Sequence, residues 1–364
     1  MDVKIEKITL PRHRRVIVIS DIHGNLPYLK GLLAKLSLRR DDVLILLGDL
    51  VEKGPFSLDT VRYILSLRES CELHAMCGNC DMWFTRFGRE DLTWPYAYLD
   101  WLERNGFPGY YVQMAAECGE RFDRNADFAR LLPLLRERFR EEFAFFDSLP
   151  HVLDAGEYIF VHGGLPAKRG EWESYPPRAF LKNDFFAAQG KKFDEWVIVG
   201  HLPVMLYRED IVSAVPRIDR ESRIISIDGG NVLKDDGQLN ALILENGEFS
   251  YTWYDEFPLI RALDPQRESE ASHYIQWGKN AVELVRREGE FVRVRQLCSG
   301  YEMDVPADFL YERGGELLVN DCTDYCPAVE EGELLSLVRE TSRGALIKKN
   351  GISGRYRGRY TKLE

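Results

Sequence analysis

Six times between Arg15 and Asn231 a short apolar run stops at a glycine flanked by Asp, Asn or His. The stops are Asp21-Ile-His-Gly24, Gly48-Asp49, Gly78-Asn79, His162-Gly-Gly164, Gly200-His201 and Asp228-Gly-Gly-Asn231. Runs such as Arg15-Val-Ile-Val-Ile-Ser20 and Val43 to Leu47 have the length of a strand, and their unbroken apolar character is that of a strand covered on both faces. Glu72 to Met76, Tyr158 to Val161, Trp196 to Val199 and Arg223 to Ile227 read the same way. Helices follow the first two strands: Asn25 is placed as an N-cap before Leu29, Leu32, Leu33 and Leu36, and Ser57 caps the next. Leu239 to Leu244 and Phe249 to Tyr254 read as two closing antiparallel strands. The pattern predicts an α/β protein with polar residues at the C-terminal ends of its strands, where open α/β sheets bind ligands.

Those polar residues are of the metal-binding type. Asp21 and His23 are two apart, so extended backbone sends both to one side and a single strand end offers an oxygen and an imidazole. Mixed Asp, His and Asn ligands suit two divalent ions such as Mn, Fe or Zn. Such a pair clamps a phosphoryl group and generates hydroxide near neutral pH, with a shared carboxylate between the ions, for which Asp49 is the natural candidate.

The set Ser20-Asp-Ile-His-Gly-Asn25, Gly48-Asp-Leu-Val-Glu-Lys-Gly54, Gly78-Asn-Cys-Asp81, Val161-His-Gly-Gly-Leu-Pro166 and Gly200-His201 resembles the calcineurin-like metallophosphoesterases. It is most similar to their phosphoprotein phosphatase and symmetrical diadenosine tetraphosphatase branch. The resemblance implies a double β-sheet sandwich flanked by helices. It implies Asp21, His23 and Asp49 on the first metal, and Asp49, Asn79, His162 and His201 on the second. It implies hydrolysis of a phosphate ester by a metal-bridging hydroxide, on phosphoprotein or dinucleoside polyphosphate substrates. The alternatives are a phosphodiesterase and a catalytically weak metal-binding protein that acts through its C-terminal module. Asp49, Glu52, Cys80 and Asp81 are the candidate catalytic residues, with Lys53 and Asn79 as candidate substrate contacts.

Three positions depart from that family pattern. Glu52-Lys53 stands where Asp-Arg is common, which keeps a positive charge without the bidentate fork of arginine. Cys77 stands in place of a common arginine, and Cys80 in place of the histidine thought to protonate the leaving group. Asp228-Gly-Gly-Asn231 reads equally as site lining and as a turn.

Residues 82–150 are rich in Trp, Phe, Tyr, Arg and Glu, with helical periodicity from Leu131 to Phe146, and read as a helical insertion. The catalytic domain is placed at 1–262, a polar linker at 263–274 and a small all-β module at 275–364 that opens with a hairpin of Ala281–Val285 and Phe291–Arg295. Its last strands resemble an SH3-like barrel over few residues. From Arg339 to Glu364, eight Lys/Arg face two Asp/Glu, with Tyr356 and Tyr360 alternating with Arg355, Arg357 and Arg359. The two readings are a basic surface for an acidic partner and a soluble strand edge.

The chain has 48 Lys+Arg against 59 Asp+Glu, a net charge of −11, so it has no overall field for a polyanion. Its seven cysteines are an odd number, which favours free thiols over a disulfide framework. No run approaches a membrane span and Met1 to Arg15 lacks a signal-peptide core, which points to a cytoplasmic protein without membrane contact. Oligomeric state leaves no mark in the sequence.

Overall fold

Val16–Ile19 shows what its unbroken apolar run is for. In the computed structural model, which describes residues 2–11, 13–86 and 92–363, alternate side chains of this strand enter two different cores. Val16 and Val18 pack with Val43, Ile45, Leu153, Phe160, Ile198 and Ile225, between two sheets. Ile17 and Ile19 pack with Leu29, Leu32, Leu33, Leu44 and Leu46, under helices. A polar residue at any of the four positions would be buried, which is why period-two alternation is missing.

The chain divides into two compact units. The first takes in the described residues of Met1–Pro203, Pro216–Leu233 and Gly237–Asp255. It holds a five-stranded sheet in the order Glu248–Tyr254, Leu239–Glu245, Val16–Ile19, Val43–Leu46, Glu72–Ala75, and a six-stranded sheet in the order Ile5–Lys7, Val152–Asp154, Tyr158–Val161, Trp196–Val199, Ile224–Ser226, Arg217–Asp219. Helix Leu26–Leu36 is capped by Asn25, whose side chain accepts from the Tyr28 N–H. Ser57 does not cap its helix. Phe56 takes the N-cap position, and the Ser57 hydroxyl accepts the Glu52 N–H at 2.9 Å.

The helical insertion comprises Trp94–Asn105, Tyr110–Glu117, Phe128–Arg138 and Arg140–Ser148; residues 87–91 lie outside the described residues. The periodicity from Leu131 to Phe146 belongs to two helices. Phe139 breaks them apart at φ −113° and ψ 41° while keeping its ring in the shared core, so the apolar spacing carries across the break. Phe84 stacks on Phe146 at 3.7 Å beside buried Tyr98, Tyr110 and Tyr111.

The second unit takes in the described residues of Val204–Val215, Lys234–Asp236 and Glu256–Glu364. Its largest sheet runs Tyr360–Lys362, Leu259–Ala262, Leu334–Thr341, Gly344–Lys349, Ile352–Tyr356, Val212–Ser213. The hairpin Val282–Glu288 and Phe291–Gln296 forms as expected, with Glu302–Pro306 as a third strand. Where one small barrel was expected, two apolar clusters form, one around Val292, Val294 and Val305 and one around Ile260, Leu335 and Ile347.

The expected boundary at 262 falls inside this unit, because Leu259–Ala262 pairs on both sides with its strands. The stretch 263–274 is no free linker: Leu263, Gln266 and Ser269 donate their N–H groups to Arg359, Val329 and Cys326. Nor do Arg355 to Tyr360 form one alternating strand. Tyr356 ends one strand and Tyr360 begins another. Arg355 donates to the carbonyls of Thr323 and Asp304, and Arg359 forks onto Asp264. Among the described residues, no helix is long and apolar enough to cross a membrane.

Candidate metal centre

Val16–Ile19, Val43–Leu46 and Glu72–Ala75 are parallel neighbours, so Asp21, His23, Asp49 and Asn79 leave the same edge of one sheet. Tyr158–Val161, Trp196–Val199 and Ile224–Ser226 are parallel neighbours in the other, and deliver His162, His201 and Asp228. The backbone turns sharply there. Asp21, His23, Asp49 and His201 have φ of 56°, 51°, 49° and 70°, in the left-handed region that non-glycine residues avoid. Each such residue costs on the order of 1 kcal/mol or more and persists only where its surroundings dictate it. Here they do: the Asp21 N–H donates to Gly48 O at 3.1 Å and the His23 N–H to Asp49 O at 2.9 Å.

Two glycines let the loops approach. A Cβ on Gly78 would stand 2.0 Å from Asp49 N and 2.2 Å from Asp49 Oδ1; one on Gly200 would stand 1.9 Å from Ser20 Oγ and 2.4 Å from Asp21 Oδ2.

Asp49 is the centre of the arrangement. Its Oδ1 lies 3.3 Å from His162 Nε2 and its Oδ2 3.6 Å from His23 Nε2. Among the described residues, two groups of buried donors have ligand atoms within 4.8 Å of one another: Asp21, Asp49 and His162, and His23, Asp49 and Cys80. Asp49 belongs to both. Asn79 Oδ1 adds an oxygen 3.3 Å from His162 Nε2. Asp21 Oδ1 and His23 Nδ1 are buried with no hydrogen-bond partner among the described residues. A buried polar atom left unpaired costs about 1–3 kcal/mol. Buried oxygen and imidazole donors facing one another fit divalent cations.

The remaining sequence candidates take distinct places. His201 donates its N–H to Asp21 Oδ2 at 2.9 Å, but its Nε2 meets Asp184 Oδ1 at 2.7 Å. Its ring lies 5.3 Å from that of His162 and joins neither donor group. Lys53 Nζ lies 3.0 Å from His23 Nε2 and 3.9 Å from Asp49 Oδ2, with the donors rather than beyond them.

Asp81 and Glu52 turn to structure. Asp81 accepts the Leu50 N–H at 3.1 Å and the Gly78 N–H at 2.8 Å, tying two motif loops together. Glu52, at φ 70°, points into the helical insertion and accepts the Tyr98 hydroxyl at 2.7 Å and the Tyr110 N–H at 3.3 Å. Sequence reasoning missed Asp184, which sits in a polar loop without a motif. It left Asn231 open. Asn231 donates to the Asp21 and Ile22 carbonyls and accepts from Asn25, so it clamps the first loop.

The sequence profile described as calcineurin-like phosphoesterase matches residues 14–215, more than half of the chain. The chain belongs to the calcineurin-like phosphoesterase family. It is similar to the symmetrical bis(5'-nucleosyl)-tetraphosphatase of Colwellia psychrerythraea, with 41% identity over 68 residues, 18% of this chain and 23% of that protein. The symmetrical bis(5'-nucleosyl)-tetraphosphatase of Yersinia pestis (strain Pestoides F) is 44% identical over 66 residues, 18% of this chain and 22% of that one. These matches span less than a quarter of the curated relatives. Similar solved structures include a metallophosphoesterase from Sphaerobacter thermophilus (TM-score 0.38, 20% identity, 67% of this chain and 89% of that one). Another is a protein serine/threonine phosphatase from Saccharomyces cerevisiae (TM-score 0.41, 12% identity, 70% and 84%).

The phosphoesterase's own charges prepare it for metal. Burial, then the Lys53 charge, lowers His23 to about 3 and keeps its imidazole neutral. Burial works against ionisation of Asp49, but His162, His23 and Lys53 prevail and hold its carboxyl well below the usual range. Neutral imidazole and ionised carboxylate are the forms that bind metal. Burial also opposes the Lys53 ammonium, and the fields of Cys80, Asp49, Asp21 and Asp228 overcome it and raise its pKa. Burial, aided by Asp49, pushes the Cys80 thiol well up and Asp81 to about 7.

Proposed function

We propose that this phosphoesterase holds two divalent ions with Asp21, His23, Asp49, Asn79, His162 and His201, and hydrolyses phosphate compounds that carry good leaving groups, dinucleoside polyphosphates first among them. The observation that carries the reading is Asp49, one buried carboxylate shared by two donor groups. Ions bound there supply Lewis-acid polarisation of phosphoryl oxygens and activation of water.

The chain supplies the rest. The Lys53 ammonium, on a flexible stem beside Asp49, attracts and orients the phosphoryl group. Asp81 holds the loops of Leu50 and Gly78 in register. Asp184 receives His201 Nε2 and fixes the orientation of that ring. Position 80 carries a thiol that is 3% exposed and has a raised pKa, a poor proton donor near neutral pH. The leaving group must then depart with little help. A nucleotide phosphate can do so; the alkoxide of a phosphoserine cannot. The names of the curated relatives point the same way.

The test is turnover with added Mn²⁺ on a dinucleoside tetraphosphate, a phosphoserine peptide and an aryl phosphodiester. The dinucleoside tetraphosphate is expected to be cleaved with the highest kcat/KM. A phosphoserine peptide cleaved as fast or faster would overturn the substrate assignment, and no metal-dependent turnover of any of the three would overturn the activity.

A further inference from the structure

Cys80 is more than a missing histidine. Its Sγ, a ring nitrogen of His23 and a carboxylate oxygen of Asp49 all lie within 4.8 Å of one another, on three buried residues. Ligands about 2.0–2.3 Å from one ion stand at most about 4.6 Å apart, so the three atoms already have nearly the spread of a single coordination sphere. A second observation points to the same spot. Asp21 Oδ1 is buried without a hydrogen-bond partner among the described residues, and it lies 3.7 Å from His23 Nε2.

The backbone holds the thiol in place. The Cys80 N–H donates to Asp49 Oδ1 at 2.8 Å, which locks the sulfur's chain position to the shared carboxylate. Asn79 Nδ2 donates to Sγ at 3.4 Å, a contact that suits a sulfur acting as electron donor. Lys53 Nζ, 3.0 Å from His23 Nε2, is the competitor for this nitrogen, and its flexible stem allows it to withdraw.

We infer that Cys80 binds, as a thiolate, the ion held by His23 and Asp49. The inference rests on the metal-centre reading above. The S–H bond breaks, its proton leaves to solvent and the sulfur lone pair forms the bond to the ion; no oxidation state changes. Two consequences follow. A soft thiolate moves this position toward zinc, iron or cobalt and away from manganese, while the group of Asp21, Asp49 and His162 has no sulfur and keeps the harder preference. The chain therefore prefers two different ions. A sulfur on the metal also has no proton to give a leaving group, in line with substrates that need none.

The test uses the full-length protein loaded with cobalt(II) and read in the near-ultraviolet, where thiolate-to-cobalt charge transfer absorbs. The expected result is a charge-transfer band that saturates at one cobalt per chain, is lost in Cys80→Ser and Cys80→Ala, and persists in Cys77→Ser. The preference for zinc over manganese at that position should fall by about tenfold or more in Cys80→Ser. Cobalt bound without a charge-transfer band in the wild-type protein would overturn the thiolate and leave the proposed function standing. The wild-type spectrum decides this even if the position-80 variants fail to fold. A band that survives removal of Cys80, or vanishes with Cys77, would equally overturn the assignment. A protein that binds no cobalt would overturn this inference and the proposed function together.

Discussion

In the first unit Asp21, His23, Asp49, Cys80 and His162 are buried at strand ends with their donor atoms facing one another, and Asp21 Oδ1 has no hydrogen-bond partner among the described residues. In the second unit the charges are distributed differently. Of the eight Lys/Arg from Arg339 onward, five face an acid of the same unit: Arg339 with Asp308, Arg343 with Asp304, Lys349 with Glu333, Arg359 with Asp264 and Lys362 with Glu340. The second unit has already answered its charges. The first holds a cluster of buried donors that the chain answers only in part, and a buried polar atom without a partner is costly. The contrast locates function better than net charge does: in sequence the basic tail reads as a binding surface or as a soluble strand edge, and in the fold five of its eight cations face acids of the same unit.

The sharpest way to break this contrast is Asp49→Asn, which removes the charge both donor groups share. Loss of a group that merely supports a ligand costs about 10–100-fold, so loss of the shared ligand should lower kcat/KM more than a hundredfold and reduce bound metal. Wild-type metal content in that variant would show that the two groups do not depend on Asp49. Lys53→Ala comes next. A charge-assisted contact contributes about 1.5–3 kcal/mol, so kcat/KM should fall roughly tenfold to a hundredfold with metal stoichiometry intact; a variant that loses its metal instead would make Lys53 structural.

His151 offers a control inside the first unit, a buried histidine that the protein satisfies by itself. Its Nδ1 accepts the Lys4 N–H at 2.8 Å, and burial lowers its pKa from 6.5 to about 4. The unfolded chain binds the proton first as pH falls. Stability is therefore full above pH 6.5 and is lost on the way down to about 4, by about 2 kcal/mol near pH 4.5. His151→Gln should flatten that part of the urea-denaturation profile, equally with and without metal. An unchanged profile would mean that this histidine is not held neutral. The smallest effect belongs to Arg359→Ala in the second unit, which should leave kcat/KM on small substrates unchanged; a large loss would mean that the self-paired tail serves the chemistry.

The strand ends were legible because each motif states its own function: a buried apolar run fixes the strand, and the next polar residue must emerge at its end. Contacts made by loops remote in sequence left no such mark. Asp184 reaches His201 from 17 residues away, across the strand Trp196–Val199. Glu52 was a catalytic candidate because Glu52-Lys53 stands where Asp-Arg is common in the family, and its left-handed backbone accompanies a side chain turned to Tyr98. The unit boundary was misplaced for a related reason. Leu259-Ile-Arg-Ala262 alternates as an edge or a central strand of any sheet would, and its pairing with Leu334–Thr341 and Tyr360–Lys362 decides which.

On the proposed function, the buried donors around Asp49 hold cations that drive phosphate hydrolysis. The most direct test is to strip the full-length protein with a chelator, titrate Mn²⁺ or Zn²⁺ back, and follow bound metal and hydrolysis of a dinucleoside tetraphosphate together. No turnover is expected in the stripped protein, followed by a rise that saturates as about two ions bind per chain. Undiminished turnover in the stripped protein would contradict that function.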